Sequence, residues 1–365
     1  MAGMARPSSS SSAASSGPPK RTVRGEKFQR LLATPAVDLA ALRELLWSGA
    51  PEDDPSVRAE SWQMLLGYLP PVRDRAAQGI AKKRAEYEEL QRSHYAADGV
   101  ELRQAEGEEA TVILRQIRVD IPRTCSGLSL FAHPQMQKLM ERVLYIWSVR
   151  HPASGYVQGI NDLLTPFIAV LLKAELSALE PPVDAFGQDL NLDDVDEEIL
   201  RSVEASAYWC LTKVLSDIQD HYTAGQPGIQ QLVAKLKEIV RRIDEKLYAH
   251  LETQGLDFVQ FSFRWMNCLL LREFPLPCVI RLWDTYIAEP EGFSTFHVYV
   301  CAVFLIYWSP QLKQMDFQQL MLFMQKLPTG RWRTQEIETL LAEAFVLKSL
   351  FHSSPKHLNP RMPGV

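Results

Sequence analysis

Two short polar motifs carry the residue types that could do chemistry in this chain. They are Ile117-Arg118-Val119-Asp120-Ile121-Pro122-Arg123 and Tyr156-Val157-Gln158-Gly159. Arg123 offers a permanent charge and a planar fork of donors, which suits the oxygens of a phosphoryl group. Gln158 offers an amide that donates to such oxygens and accepts from a water. Neither group breaks a bond unaided, so the pair makes sense where a partner brings the reacting group. The chain contains no phosphate-binding Gly-rich loop, no nucleophile elbow and no kinase signature. A nucleotide hydrolase in its own right is therefore not expected.

The surroundings of the two residues bear on whether they are free to act. Val119, Ile121 and the Ile121-Pro122 step disfavour helix just before Arg123, which places it on a loop or at a helix start. Asp120 is near enough to fix the guanidinium or to bond neighbouring backbone amides. An ordinary loop ion pair has the same composition, and for Arg123 taken alone that reading stays open. Gly155 and Gly159 bracket Tyr156 and Gln158, and glycine lets a backbone turn to positive φ or approach a ligand closely. Asn161-Asp162 then leads into an apolar run, Leu163 to Leu172, which reads as a largely buried helix containing Pro166. Gln158 would stand near that helix's N-terminus, where free amides and the helix dipole favour an anion. A capping turn without chemistry is the other reading.

The elements that must position these residues are helices. Met136, Leu139, Met140, Val143, Leu144 and Trp147 follow Pro134 at the spacing of an amphipathic helix, with proline tolerated in the first turn. Ile229, Leu232, Val233, Leu236, Val240, Ile243 and Leu247 repeat the pattern over a longer span, and Gln335 to Leu350 does so again. No run alternates with period two between hairpin turns, so few or no strands are expected. Phe296 to Trp308 is apolar almost all round but shorter than the ~18 residues of a membrane span, and reads as a buried central helix. Residues 174–200 hold many Asp and Glu and no Lys or Arg, and read as an exposed, partly disordered acidic loop. Ala224-Gly225-Gln226-Pro227-Gly228 marks a turn and a subdomain boundary.

With 365 residues, 46% of them hydrophobic, the chain can bury one large core or two packed subdomains. Its net charge of -5 argues against a general nucleic-acid binder. Five scattered cysteines without a C-x-x-C pair point to a reduced compartment, and no ligand spacing for zinc occurs. The Ser-rich start, Met1 to Pro19, lacks the apolar core of a secretory signal and is expected to be disordered. Lys20, Arg21, Arg24, Lys27 and Arg30 form a basic run, read as a solvated entry to the fold that can touch acidic lipid headgroups. Trp62, Trp147, Trp209, Trp265 and Trp283 are expected in the core, and Arg58, Arg281 and Asp284 in internal pairs.

Taken together, these residues resemble the TBC-domain GTPase-activating proteins that act on Rab-type small GTPases. Both family signatures, I-x-x-D-x-x-R and Y-x-Q-G, occur without departure. Arg58, Trp62 and Leu65 to Pro70 resemble the family's opening motif, and Phe261 to Asn267 and Ile280 to Tyr286 its C-terminal half. His151 to Asp162, Ile218 to Tyr222 and Gln226 to Gln230 are similar to the yeast Ypt-GAP-like branch.

The resemblance implies an all-α, V-shaped fold of two subdomains. An N-terminal one over 31–225 would carry both fingers, and a C-terminal one over 226–352 would help dock the GTPase, with tails at 1–30 and 353–365. It further implies that Arg123 enters the partner's nucleotide site and stabilises charge on phosphate oxygens. Gln158 would position the attacking water, Asp120 would hold Arg123, and Tyr156 and Gly159 would shape the loop. GTP and Mg²⁺ would belong to the GTP-form Rab partner, so the chain needs no cofactor of its own. A cytoplasmic protein, peripherally associated with endomembranes of Golgi-related traffic, is the setting implied. A non-catalytic GTPase-binding scaffold of the same fold is the alternative, against which the presence of both Arg123 and Gln158 argues.

Overall fold

The computed structural model describes residues 22–95, 107–187 and 190–351. Every regular element among them is helical, and a lone bridge joins the extended backbone of Ala36 and Val72. The chain enters through α1 (Val23–Leu32) and α2 (Leu39–Trp47). Helix α1 shortens the tail expected over 1–30: Thr22 caps it, and Phe28 and Leu32 are buried. Arg24, expected to be solvated, instead donates to the carbonyls of Leu45 at 2.5 Å and Gly49 at 2.6 and 2.8 Å. It thereby satisfies carbonyls that α2 leaves open at its C-terminus. Lys27 and Arg30 are exposed as expected. Lys20, Arg21 and the tail expected over 353–365 lie outside the described residues.

Helix α3 (Pro55–Leu65) starts on an Asp54 cap with proline in its first turn, and α4 (Arg73–His94) is a long polar surface helix that buries Tyr87. Helix α5 (Gly107–Asp120) corrects a sequence expectation. It runs straight through Val119, where β-branching disfavoured helix, because Ala110, Leu114 and Ile117 form a buried stripe and α5 packs on α7 (Pro134–Arg150). Packing outweighs weak local propensity. The restriction imposed by Pro122 is met at Ile121, where the chain tightens into a 3-10 turn, Ile121–Arg123. A single turn, α6 (Ser129–Ala132), precedes α7.

Helix α8 (Ile160–Ser177) is buried along nearly its whole length between α3 and α9 (Glu197–Asp217). Pro166 stands inside it without an amide to offer the carbonyl of Asp162, and the Thr165 hydroxyl donates to that carbonyl instead at 2.8 Å. The acidic loop expected over 174–200 is shorter at both ends, because α8 continues through Ser177 and α9 begins at Glu197. Asp196 caps α9, and Glu197 and Glu198 sit in its first turn, where the helix dipole favours them. Buried Ala185 and Leu192 anchor the connection; residues 188 and 189 lie outside the described residues.

After the turn at 223–226, α10 (Pro227–Ile243) and α11 (Glu245–Gln254) divide the longer apolar span at Asp244, whose carboxylate caps α11 by accepting from Leu247. Then come α12 (Phe258–Asn267), α13 (Leu276–Ala288), α14 (Phe293–Tyr307), the single turn α15 (Ser309–Leu312), α16 (Phe317–Gln325) and α17 (Thr334–Phe351). Helix α14 is the buried central helix expected from Phe296 to Trp308, packed against α10 and α17. None of the described helices is long and apolar enough to cross a membrane.

One polar cluster ties early and late helices together. Asp284 of α13 is fully buried and accepts from Arg58 Nε at 3.2 Å, Trp62 Nε1 at 2.8 Å and the amide of Ala50 at 2.9 Å. Trp62, Phe167 of α8 and Trp283 pack ring on ring around it, with centroids 5.4–6.4 Å apart. Helices α3, α8 and α13 are thus locked in mutual position, and they form the walls of the site.

Candidate functional site

Arg123 ends the 3-10 turn after α5. Ile121 is buried and pins the turn, the Thr124 amide donates to the Ile121 carbonyl at 2.9 Å, and the Thr124 hydroxyl donates to the Asp120 carbonyl at 2.9 Å. On this rigid base the Arg123 side chain is exposed and makes no hydrogen bond or ion pair among the described residues. The expected hold of Asp120 on Arg123 is absent. Asp120 is the last residue of α5, and its carboxylate finds its partners elsewhere. It is buried and takes the Tyr156 hydroxyl at 3.0 Å on one oxygen; Gln158 Nε2 stands 3.5 Å from the other.

Tyr156 joins the two motifs. Its hydroxyl lies between Asp120 Oδ2 and Asn161 Oδ1, at 3.0 and 3.1 Å. Burial first, and then the Asp120 charge, push the phenol well above its ordinary range, so it stays a donor at any ordinary pH. Asn161 extends the network: its oxygen accepts the Gly159 amide at 2.9 Å, and its Nδ2 donates to Thr124 at 2.8 Å. Gly159 caps the start of α8 with φ +112°, and a Cβ there would fall inside van der Waals contact of Asn267 Nδ2. Only glycine fits such a conformation with a neighbour so close. The Gln158 carbonyl accepts from Asn267 Nδ2 at 2.8 Å, while its side chain is exposed; 3.5 Å to Asp120 is too long to fix the amide.

The five residues singled out from the sequence therefore divide in two. Arg123 and Gln158 reach outward, and Asp120, Tyr156 and Gly159 are buried beneath them. Arg123, Asp120 and Gln158 line one cleft of about 820 Å³, walled on the far side by Leu271, Phe274 and Leu276. Arg272 also lines it, bonded to Asp162 at 2.7 and 2.8 Å. Burial pushes the Asp162 carboxyl up, and Arg272 pulls it part of the way back. Cys125 stands in the same cleft, but burial, then the Asp162 charge, push its thiol up to about 11. It is a poor nucleophile at neutral pH. No cluster of His, Cys, Asp and Glu suited to a metal ion occurs among the described residues.

What the arrangement can do is present one cation and one amide to a group arriving from outside. Sequence reasoning missed the supports: Thr124, Asn161, Arg272 and above all Asn267. Asn161 follows the Y-x-Q-G motif and Asn267 ends the Phe261–Asn267 motif, so proximity to a motif was the available signal.

Residues 55–313 match the Rab-GTPase-TBC domain. The chain belongs to this family. Among its relatives are mouse TBC1 domain family member 22A, 48% identical over 93% of this chain, and human TBC1 domain family member 22B, 46% identical over 94%. The GTPase-activating protein gyp1 of Schizosaccharomyces pombe is 47% identical over 92%. The chain spans less than two thirds of the length of these relatives, 62%, 65% and 63% respectively. Among solved structures, the crystal structure of the Ypt/Rab-GAP domain of Gyp1p superposes with a TM-score of 0.80 at 41% identity, covering 90% of this chain and 98% of that one. The Chlamydomonas flagellar RabGAP TBC domain, at 19% identity and a TM-score of 0.57, shares the fold. The TBC fold expected from the motifs is thus the fold observed.

Proposed function

We propose that this TBC domain accelerates GTP hydrolysis on a Rab-type small GTPase in its GTP form, supplying Arg123 and Gln158 to the partner's nucleotide site. The observation that carries the reading is the outward pair on an inward scaffold: two exposed, loosely held side chains over a buried hydrogen-bonded network. Phosphoryl transfer to water needs positioning and charge stabilisation more than covalent help, and an arginine supplied in trans is worth ~10³–10⁵ in rate. Arg123 would neutralise charge building on phosphate oxygens, and the Gln158 amide would orient the attacking water. GTP and Mg²⁺ come with the partner. Similarity to the GTPase-activating protein gyp1 of Schizosaccharomyces pombe and to the Ypt/Rab-GAP domain of Gyp1p supports the assignment.

The helices before the turn at 224–228 carry the fingers in this reading, and those after it help dock the GTPase. Its setting is vesicle traffic at endomembranes, Golgi-related, with transient membrane association. The test is single-turnover phosphate release from a panel of GTP-loaded Rabs. Arg123→Ala is expected to remove most of the stimulation while leaving helical content intact, and full activity in that variant would sink the mechanism. A GTPase lacking its own catalytic glutamine is expected to remain a substrate of the unmodified chain and not of Gln158→Ala.

A further inference from the structure

We infer that Asn267, at the C-terminal end of α12, is the positioning residue that sets where Gln158 stands. The inference rests on the reading of Gln158 as the residue that acts in the partner's site. The amide of Asn267 donates to the main-chain carbonyl of Gln158 at 2.8 Å across 109 residues of sequence. It holds the glutamine's backbone from the end of α12. The neighbouring Gly159 leaves no room for a side chain on this face, so backbone and amide are in direct apposition.

Two features show that Asn267 is held there at a cost, as at a functional position, and a third shows what holds it. Its Oδ1 is buried and finds no partner among the described residues, and leaving a buried acceptor unpaired costs stability. Leu269 and Leu270, both fully buried, follow it at φ +49° and +62°, a left-handed conformation that leucine adopts only under constraint. The turn they make ends α12 with Asn267 facing the glutamine loop. Finally, the Asn267 carbonyl is fastened by the hydroxyl of buried Tyr222 at 2.7 Å, which anchors the positioning residue to the segment before α10. An amide, and no apolar group, can meet the Gln158 carbonyl from that position, because a part-buried carbonyl that faces the protein needs a donor.

Two measurements on the full chain test this. The first is amide hydrogen exchange of the free protein, comparing wild type with Asn267→Ala and with Asn267→Asp, which keeps the shape and loses the donor. Exchange across residues 157–160 is expected to speed up by at least about 5-fold, the loss of one hydrogen bond, with the middle of α8 unchanged. Unchanged exchange in the loop, or faster exchange throughout the molecule in both variants, would overturn the inference. The second is single-turnover GTP hydrolysis on a Rab-type GTPase. Asn267→Ala is expected to lower the maximal rate roughly 10- to 100-fold, as a small misplacement does, with the half-saturating concentration close to wild type. In a Gln158→Ala background it should cost nothing further. A full additional loss in that background would show that Asn267 does not act through Gln158. If the unmodified chain stimulated no Rab-type GTPase, the proposed function would fail, and the exchange experiment would still judge Asn267.

Discussion

Arg123 and Gln158 are exposed because the residues around them are not. A guanidinium without an internal partner costs the fold nothing to withdraw and retains its charge for an incoming phosphate. Lysine would keep the charge and lose the fork. Arg123→Lys is therefore expected to cut stimulated hydrolysis at least about 100-fold with the fold unchanged, read by phosphate release and circular dichroism. Retention of most activity would reduce the arginine to a point charge. Beneath the pair, the Tyr156 hydroxyl connects Asp120 to Asn161. Tyr156→Phe removes the donor of a buried carboxylate, and a destabilisation of about 1–3 kcal/mol is expected in urea unfolding. A variant as stable as wild type would mean that Asp120 finds another donor.

At the scale of elements, the site depends on where two helices stop and start. Helix α5 ends at Asp120 because Ile121 precedes proline, and α8 begins after a Gly159 cap where only glycine fits. Gly159→Ala meets both positive φ and the Asn267 amide, so a loss of at least about 1–2 kcal/mol in stability is expected together with a loss of activity. Thermal unfolding and hydrolysis assays on the same preparation check it, and wild-type values in both would contradict the close packing described. The helices themselves were legible from spacing: Pro134–Arg150, the Pro166-containing helix and the last helix stand where periodicity put them. Periodicity misjudged the ends. The end of helix α5 was hidden by Val119, whose low propensity is overridden by a stripe packed on α7, and the acidic residues at 197–198 are first-turn residues of α9.

The whole molecule is held at Asp284, where Arg58, Trp62 and Ala50 converge from the other end of the chain. Arg58→Ala leaves a buried carboxylate short of its cation and is expected to cost about 3–5 kcal/mol, a large part of a typical domain's stability. The urea midpoint would report it, and a shift near zero would make the pair dispensable.

Acid should weaken the core through His297. Burial, and then the neighbouring His221, push its pKa from 6.5 down to about 3, and its ring nitrogens face the Tyr286 hydroxyl, the Trp265 carbonyl and Cys301. The unfolded chain takes up a proton near 6.5 that the folded one refuses. The stability this group contributes is therefore complete above pH 6.5 and is lost as pH falls toward 3, by at most about 1.4 kcal/mol per unit. His297→Gln should flatten the fall between pH 6.5 and 4. An identical slope in the variant would remove His297 from the account.

The sequence by itself determined the helical class and the buried faces, and it singled out Arg123 and Gln158 as candidates. Those properties are written in residue type and in spacing along one helix, which are local. The tertiary structure alone decided what holds them. Asp120 looked like the partner of Arg123 because the two are close along the chain, yet at the end of α5 its carboxylate takes the hydroxyl of buried Tyr156. Asn267 had no visible role, because its partner Gln158 lies 109 residues away. Contacts of that kind depend on the angles at which helices pack, and those are set by the summed fit of many side chains rather than by any single motif.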